Sequence, residues 1–477
     1  MATTTPPGDP LLEIEPKILK VVDHLRDDLE PSKYKEAVLD VIFLRFISSI
    51  SQPALANLGK QYLDFSKCDA SILQSFKFPE PDKARWFSLK EDAEQIINQY
   101  ANDRRNDPDQ FIGKIFENIK RIPRNEDFGN EAALNEFIHL ISSDAISNDD
   151  KGQDFLARIY EHSLAGFTSS QGVSGGEYFT PRTVARTLIA MIEPYQGKVY
   201  DPCFGSGGMF IQSKEFIERH GRQGNTISIY GQEIDRPILR RARMNLALQG
   251  IDAEIRWNDK GSFLQDEWPD LEADYILASP PFNMRDWDGG QLQDDPRWIF
   301  GVPPVNNANF AWLQHIYHRL APDGVAGVVL AADSLSSNKS GQGKIRRAMI
   351  EANIVDAVVR LPGLLFYSSL TPACLWILSK NKKSSQYPHR SGEILIIDAR
   401  DMGSMTNHPR CEFSNEEIGT IAETYKNWRS NPPDMEYEDI PNFCRSVKLD
   451  EIRSYEYVLT PNRYLDSSIY EIDELAV

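Results

Sequence analysis

The chain is poor in cysteine, and what it has is scattered. Cys68, Cys203, Cys374, Cys411 and Cys444 are odd in number and include no CxxC pair. That argues against a disulfide framework and a cysteine-built zinc site, and it fits reduced thiols in a cytoplasmic protein. Histidine is also sparse. The eight present form neither HxxxH nor HExxH, so no metal is expected. No run of 18 apolar residues occurs, which argues against a membrane span. The opening residues Met1 to Pro10 lack the basic and apolar regions of a secretion signal and read as a disordered, proline-rich tail. Positive charge is in deficit: 52 Lys and Arg against 70 Asp and Glu, a net charge of −18. A protein that grips DNA unaided carries a basic footprint. Here the basic groups must be gathered on one face, or a partner must supply much of any such contact. Two short clusters, Arg240/Arg241/Arg243 and Lys344/Arg346/Arg347, read singly as solvated helix faces. Internal repeats and low-complexity blocks are absent.

What is present suits a large folded protein. The 477 residues correspond to about three domains on length alone, and 41% are hydrophobic, ample for a core. Residues 11–163 read as an all-helical domain. Leu39 to Ile47 carries apolar residues on more than one face, the mark of a buried helix. Ile96, Ile97, Phe111, Ile112, Ile115, Phe116 and Ile119 continue the helical spacing. From 164 to 410 strands alternate with helices. Candidate strands are Val199 to Asp201, Ile227 to Gly231, Ala253 to Trp257, Asp274 to Ala278, Gly324 to Ala331, Ile354 to Leu361, Cys374 to Ser379 and Gly392 to Ile397. Alternation of this kind means an α/β fold with a parallel-rich sheet. Lys380 to Pro388 reads as a basic, polar connector. Residues 411–477 turn polar and acidic, and they read as a short helical tail.

Two motifs carry chemistry. Asp201-Pro202-Cys203-Phe204-Gly205-Ser206-Gly207-Gly208 is a strand end running into a glycine-rich turn and a helix. Its glycines let backbone approach a ligand, and its amides favour an electron-rich group. Ser279-Pro280-Pro281-Phe282 follows a buried-looking strand. The two prolines stiffen it and remove amide donors. Its polar lead residue and carbonyls can accept amine protons, and its aromatic can stack on a flat ring. Between the motifs, Glu233 ends one strand and Asp259 follows another, acids placed to accept hydrogen bonds from ribose hydroxyls and from an adenine amine. Each motif alone is common. Their order along one sheet points to methyl transfer from S-adenosyl-L-methionine to an exocyclic base amine.

The series Gly176-Glu177-Tyr178-Phe179-Thr180-Pro181-Arg182, Asp201 to Gly208, Gly231-Gln232-Glu233, Asp259 and Ser279 to Phe282 resembles the γ-type DNA amino-methyltransferases. More narrowly it resembles the modification (M) subunit of type I restriction-modification systems. Pro31 to Ser49, Asp295 to Trp298, Gly301 to Pro304, Asn309 to His315, Gly343 to Arg347, Leu361 to Tyr367 and Val447 to Tyr464 match as well. The resemblance implies a Rossmann-like methyltransferase sheet behind an all-helical N-terminal domain, with a short helical C-terminal tail contacting a specificity subunit. It implies that Tyr178, Phe179, Thr180 and Pro181 flank the cofactor, that Asp201, Gly205, Ser206 and Gly207 cradle it, and that Glu233 and Asp259 hold its ribose and adenine. Ser279, Pro280, Pro281 and Phe282 would hold a base swung out of the duplex, because its amine is otherwise tied up in pairing. The implied partners are double-stranded DNA, a specificity subunit shared by two M subunits, and a restriction subunit in the full assembly.

Two positions depart from the family's usual pattern. Ser279 stands where Asn is usual, and Ala332-Asp333 stands where Asn-Gly is usual. A serine hydroxyl still accepts a hydrogen bond, with shorter reach. Three outcomes stay open on sequence: N6-adenine methylation, the family default; N4-cytosine methylation; or a catalytically weak scaffold subunit.

Overall fold

A computed structural model describes residues 10–27, 31–50, 86–102, 115, 119, 131–170, 180–221, 226–366, 371–382, 390–405, 411–430 and 437–465. The chain divides into two compact units. One holds Met1–Glu177 with Arg240–Asp252, the other Tyr178–Leu239 with Ala253–Val477. The first division falls after the 163/164 boundary read from sequence, because the helix Asp150–Ser170 runs straight through that boundary.

The first unit is helical where described. Pro10–Asp27 packs on Glu131–Ile141 and Asp150–Ser170, and Pro31–Ser49 also packs on Asp150–Ser170. Residues 37–47 are all buried, which is why that stretch is apolar around its whole circumference. Its two charged members are matched inside. Arg45 donates to the Ile146 carbonyl at 2.7 Å and to Asn148 Oδ1 at 2.9 Å, and Asp40 takes Arg240 at 3.1 Å. Glu36 accepts from Arg241 at 2.6 Å and also pairs with Arg240. The first arginine cluster is thus partly an interior ion-pair network, where burial lowers the Arg240 pKa to about 10, and not the solvated face read from sequence. Ile115 and Ile119 are buried as their spacing predicts, while Phe111, Ile112 and Phe116 lie outside the described residues.

The second unit is built on a nine-stranded sheet in the order β11-β8-β6-β7-β5-β4-β1-β2-β3. The strands are β1 Gly197–Asp201, β2 Ile227–Glu233, β3 Ala253–Trp257, β4 Ala273–Ala278, β5 Leu320–Ala331, β6 Val355–Arg360, β7 Ala373–Ser379, β8 Glu393–Asp398 and β11 Cys444–Lys448. Strands β3, β2, β1, β4 and β5 run parallel to one another, and β7 runs antiparallel between β5 and β6. A separate two-stranded ribbon pairs β9 Ser404–Met405 with β10 Cys411–Glu412. Helices cover the sheet, so β7 is buried at every residue and reads as an unbroken apolar run. Strand order reverses between β1 and β4. The carboxyl ends meeting there form the crevice in which such sheets bind ligands.

Two local readings are corrected. The tail expected to be helical also supplies β11, which pairs antiparallel with β8 from Cys444↔Ile397 to Lys448↔Glu393. Tyr464 and Leu465 are buried in the main core. Lys382, in the stretch read as a basic, polar connector, is buried. Its ammonium donates to the Val355 carbonyl at 2.8 Å and pairs with Asp356 at 3.7 Å, and burial lowers its pKa to about 8.

Candidate functional site

The site begins at the end of β1. Asp201 closes the strand, and its Oδ1 accepts from the Cys203 amide at 2.9 Å, turning the chain back over the carboxylate. Gly205 and Gly207 then adopt φ of +56° and +82°, which a side chain rarely allows. The Gly207 amide donates to the Phe204 carbonyl at 2.9 Å, and the helix Gly208–Arg219 starts there. Among the described residues, the adjoining chain aside, no heavy atom lies within 4 Å of where a Cβ on Gly205 or Gly208 would stand. The turn is therefore an open cradle. Beneath it the fit is close: a Cβ on Gly231 would meet the buried Phe204 ring at 2.5 Å. Ser206 sits half-buried between the two turn glycines.

Glu233 closes β2 beside this turn. Its Oε2 accepts from the Gly205 amide at 3.0 Å, and its Oε1 accepts from the Ile234 and Asp235 amides at 2.8 and 3.1 Å. Asp235 caps the next helix through the Ile238 amide. Ile234 is 50% exposed and holds an apolar side chain open beside the acid. Gln232 instead faces inward, bonding Gln265 and Glu267.

Burial governs the titration of this corner. Desolvation raises Asp201 to about 8 despite the Cys203 amide, with the Glu233 charge adding to the rise. Desolvation likewise raises Glu233, against the pull of its three amide donors. Among the described residues no Lys or Arg pairs with either carboxylate. Two buried acids without a cation, under a glycine cradle, fit a positively charged ligand that also presents hydroxyls. S-adenosylmethionine, with its sulfonium, ammonium and ribose, has that chemistry. Burial, then the nearby Asp201 and Glu233 charges, pushes the Cys203 thiol well above its ordinary value. Cys203 is therefore held neutral and is no nucleophile.

The second motif lies at the adjoining strand end. Ser279 follows the fully buried Ala278 of β4 and is itself half-buried. Parallel pairing of β1 with β4, Val199↔Tyr275 and Tyr200↔Ile276, brings the two motifs to adjoining strand ends. Pro280 is buried, Pro281 half-buried, and Phe282 only 8% exposed. The Phe282 ring meets Phe366 edge-on, centroids 5.2 Å apart. Phe366 arrives on the loop after β6. There Leu364 takes φ of +61° and its carbonyl accepts from the Cys411 amide at 3.2 Å. Sequence reading matched this loop to the family without linking it to the site, because 84 residues separate the two phenylalanines.

The remaining residues are more dispersed. Asp259 is exposed just beyond β3, and no hydrogen bond joins it to the others among the described residues. Thr180 is half-buried and Pro181 buried, leading into the helix Arg182–Ile192. Tyr178 and Phe179 lie outside the described residues. Asp333 is exposed at the end of β5. Ser334 is buried and accepts from the Trp376 indole at 3.0 Å. The second basic cluster turns one member inward: Arg346 is fully buried, donating to the carbonyls of Ser337 at 2.7 Å and Tyr457 at 2.8 Å, while Lys344 and Arg347 are exposed. No group of three His, Cys, Asp or Glu is placed to hold a metal among the described residues. None of the described helices is long and apolar enough to cross a membrane.

A doubly wound sheet with a glycine cradle at β1, an acid at β2 and a polar-Pro-Pro-aromatic loop at β4 defines the class of nucleotide-amine methyltransferases. The comparisons narrow it. Residues 151–472 match the N-6 DNA methylase family and residues 14–140 the HsdM N-terminal domain. The type I restriction enzyme HindI methylase subunit of Haemophilus influenzae is 42% identical over 321 residues, 67% of this chain and 70% of that protein. The type I restriction enzyme MjaIX methylase subunit of Methanocaldococcus jannaschii is 31% identical over 490 residues, 96% of this chain and 84% of its own. Among solved structures, the type I restriction-modification methyltransferase subunit from Streptococcus thermophilus shares the fold. Its TM-score is 0.70 at 22% identity, over 96% of this chain and 100% of that one. The chain belongs to the N-6 DNA methylase family, as the methylase subunit of a type I restriction-modification system. Nothing in these matches favours cytosine N4 as the acceptor.

Proposed function

We propose that the chain binds S-adenosylmethionine over the Gly205–Gly208 turn and methylates N6 of an adenine held by Ser279 to Phe282. The cofactor supplies a methyl carbon made electrophilic by its sulfonium. The observation that carries the proposal is the pair of buried acids, Asp201 and Glu233, with no cation beside them among the described residues. Asp201 acts from beneath the turn: it fixes the Cys203 amide and supplies negative potential. Glu233 keeps one lone pair of Oε2 open for a ribose hydroxyl while holding the Gly205 amide. Ile234 gives the cofactor's adenine an apolar wall, and exposed Asp259 is within chain reach of its amine. Thr180 and Pro181, with Tyr178 and Phe179 of the same motif, flank the cofactor.

At the reacting end the chain positions and does not ionise. Ser279 Oγ and the Pro280 carbonyl accept the two amine hydrogens of the base, which keeps the nitrogen lone pair aimed at the methyl carbon. Phe282, its edge fixed by Phe366, stacks on the ring. The neutral Cys203 thiol leaves no competing nucleophile.

Sequence readout belongs to a separate specificity subunit, shared between two copies of this chain and joined by a restriction subunit in the full assembly. Working on DNA, the assembly is cytoplasmic. The relatives' role as type I subunits supports this arrangement, and so does the charge of −18, which disfavours unaided DNA binding. Co-expression with the specificity subunit, followed by mass spectrometry of digested DNA, tests the reading: N6-methyladenine is expected. N4-methylcytosine, or no methylated base, would overturn it.

A further inference from the structure

The base-holding loop does not end at Phe282. The next residue, Asn283, takes the left-handed conformation at φ +54°, one that asparagine tolerates better than most residues. Its backbone amide donates to Asn309 Oδ1 at 3.0 Å. Its side-chain Oδ1 accepts twice, from Asn309 Nδ2 at 2.8 Å and from Asn307 Nδ2 at 2.9 Å. Asn307 Oδ1 in turn accepts the Asn309 backbone amide at 3.0 Å. A fifth bond, from the Ala308 amide to the Met284 carbonyl at 2.9 Å, runs alongside. Asn309 is fully buried and opens the helix Asn309–Arg319, which packs on β5.

The ring has one direction. Turning the Asn283 amide over would set its NH2 against two other NH2 groups, and turning Asn309 would leave the Asn283 backbone amide facing a donor. A satisfied amide network of this kind, with Asn309 buried and Asn283 and Asn307 half-buried, fixes one geometry, because the alternatives set donor against donor. The ring thus locks the residue after Phe282 to a rigid helix, while Phe366 fixes Phe282 from the other side.

We infer that Asn309, acting through Asn283 and assisted by Asn307, is a positioning residue for methyl transfer. Its amide sets the height of the Ser279–Phe282 loop against the cofactor cradle. The inference rests on the reading of that loop as the base holder. Positioning errors of about 1 Å cost up to about a hundredfold in rate, so the effect belongs on kcat and not on cofactor affinity.

The test uses the full chain in complex with its specificity subunit. Asn309→Asp keeps the acceptor toward the Asn283 amide but sets a carboxylate oxygen against Asn283 Oδ1. Single-turnover methylation should fall about tenfold to a hundredfold, with cofactor affinity within about twofold of wild type. The deficit relative to wild type should shrink as pH falls, because protonating the introduced carboxylate restores a donor toward Asn283 Oδ1. Asn283→Gly keeps the main-chain bond and tolerates φ +54°, but loses both side-chain bonds, and should show a smaller fall of the same kind. It carries the test should Asn309→Asp fail to fold. Wild-type transfer rates per folded molecule in Asn283→Gly, or a loss confined to melting temperature in either variant, would overturn the inference. A control separates the two readings: if Phe282→Ala transfers normally, the base-holder reading itself fails. If Phe282→Ala is impaired and the asparagine variants are not, only the positioning role falls.

Discussion

The amide of Gly205 donates to Oε2 of Glu233 across 3.0 Å, tying the glycine turn after β1 to the acid that ends β2. One carboxylate therefore shapes the cradle and also faces the expected ribose. Removing it leaves the Gly205, Ile234 and Asp235 amides without their acceptor. Glu233→Ala should weaken S-adenosylmethionine binding by on the order of 1.5–3 kcal/mol, through a lost charge-assisted contact and a loosened turn. Titration calorimetry on the purified chain reads this directly, and an unchanged dissociation constant would remove Glu233 from the cofactor site.

Asp201 gives a pH dependence of definite sign. Its folded pKa is raised to about 8 from an ordinary value of 3.8. The neutral form is thus the favoured one in the fold. The associated stability is fully present below about pH 4 and is lost as pH rises toward 8, by about 1.4 kcal/mol for each unit of the window. Asp201→Asn keeps an oxygen for the Cys203 amide and cannot ionise. Melting curves should show the wild type losing ground to Asp201→Asn between pH 4 and 8. Parallel curves would mean that Asp201 is already charged in the fold. A cationic ligand reverses the preference, so wild-type cofactor affinity should rise from pH 6 to 8, and that rise should vanish in Asp201→Asn.

Eight sheet strands were legible from sequence because a sheet covered on both faces needs largely apolar strands: Ala373–Ser379 is apolar up to its last residue, and Val355–Arg360 is interrupted only by Asp356 before its terminal arginine. The strand Cys444–Lys448 was not. As an edge strand covered on one side, it needs few apolar residues, and Val447 opposite Ile394 suffices with the backbone ladder to β8. The site was legible where chemistry sits at strand ends, at Asp201, Glu233 and Ser279. Depth was not. Sequence cannot tell that Asp201 is almost fully buried with its Oδ1 taken by the Cys203 amide, or that Lys382 is held inside by Asp356 and the Val355 carbonyl. Nor could it join Phe366 and Asn309 to the Ser279–Phe282 loop, since both contacts arise from tertiary packing.

The fate of the arginines bears on DNA binding. Arg240 and Arg241 pair with Glu36 and Asp40, and Arg346 is bound to backbone carbonyls. Those charges are spent inside the fold and cannot neutralise phosphates. With a net charge of −18, the chain alone should bind duplex DNA weakly and without sequence preference at physiological salt. Addition of the specificity subunit should produce tight, selective binding. A gel shift in which the lone chain selects a sequence at nanomolar concentration would refute this.

Ser279 is the sharpest test of the transfer step. It sits where β4 delivers the chain into the Pro280-Pro281 unit, half-buried, with Phe282 three residues on. Its hydroxyl is short, so it can meet a base amine only if the loop stands close to the cofactor cradle, and the pairing of β4 with β1 sets the two strand ends side by side. An acceptor that engages the amine as its nitrogen attacks should count more in the transition state than in the bound state. Ser279→Ala should therefore lower single-turnover methylation by tenfold or more, about 1.4 kcal/mol or above, while DNA and cofactor affinities stay close to wild type. Ser279→Asn lengthens the acceptor and should change the rate again, with N6-methyladenine still the product by mass spectrometry. Should Ser279→Ala methylate adenine at the wild-type rate, the side chain is only a spacer and the acceptor must be the Pro280 carbonyl alone.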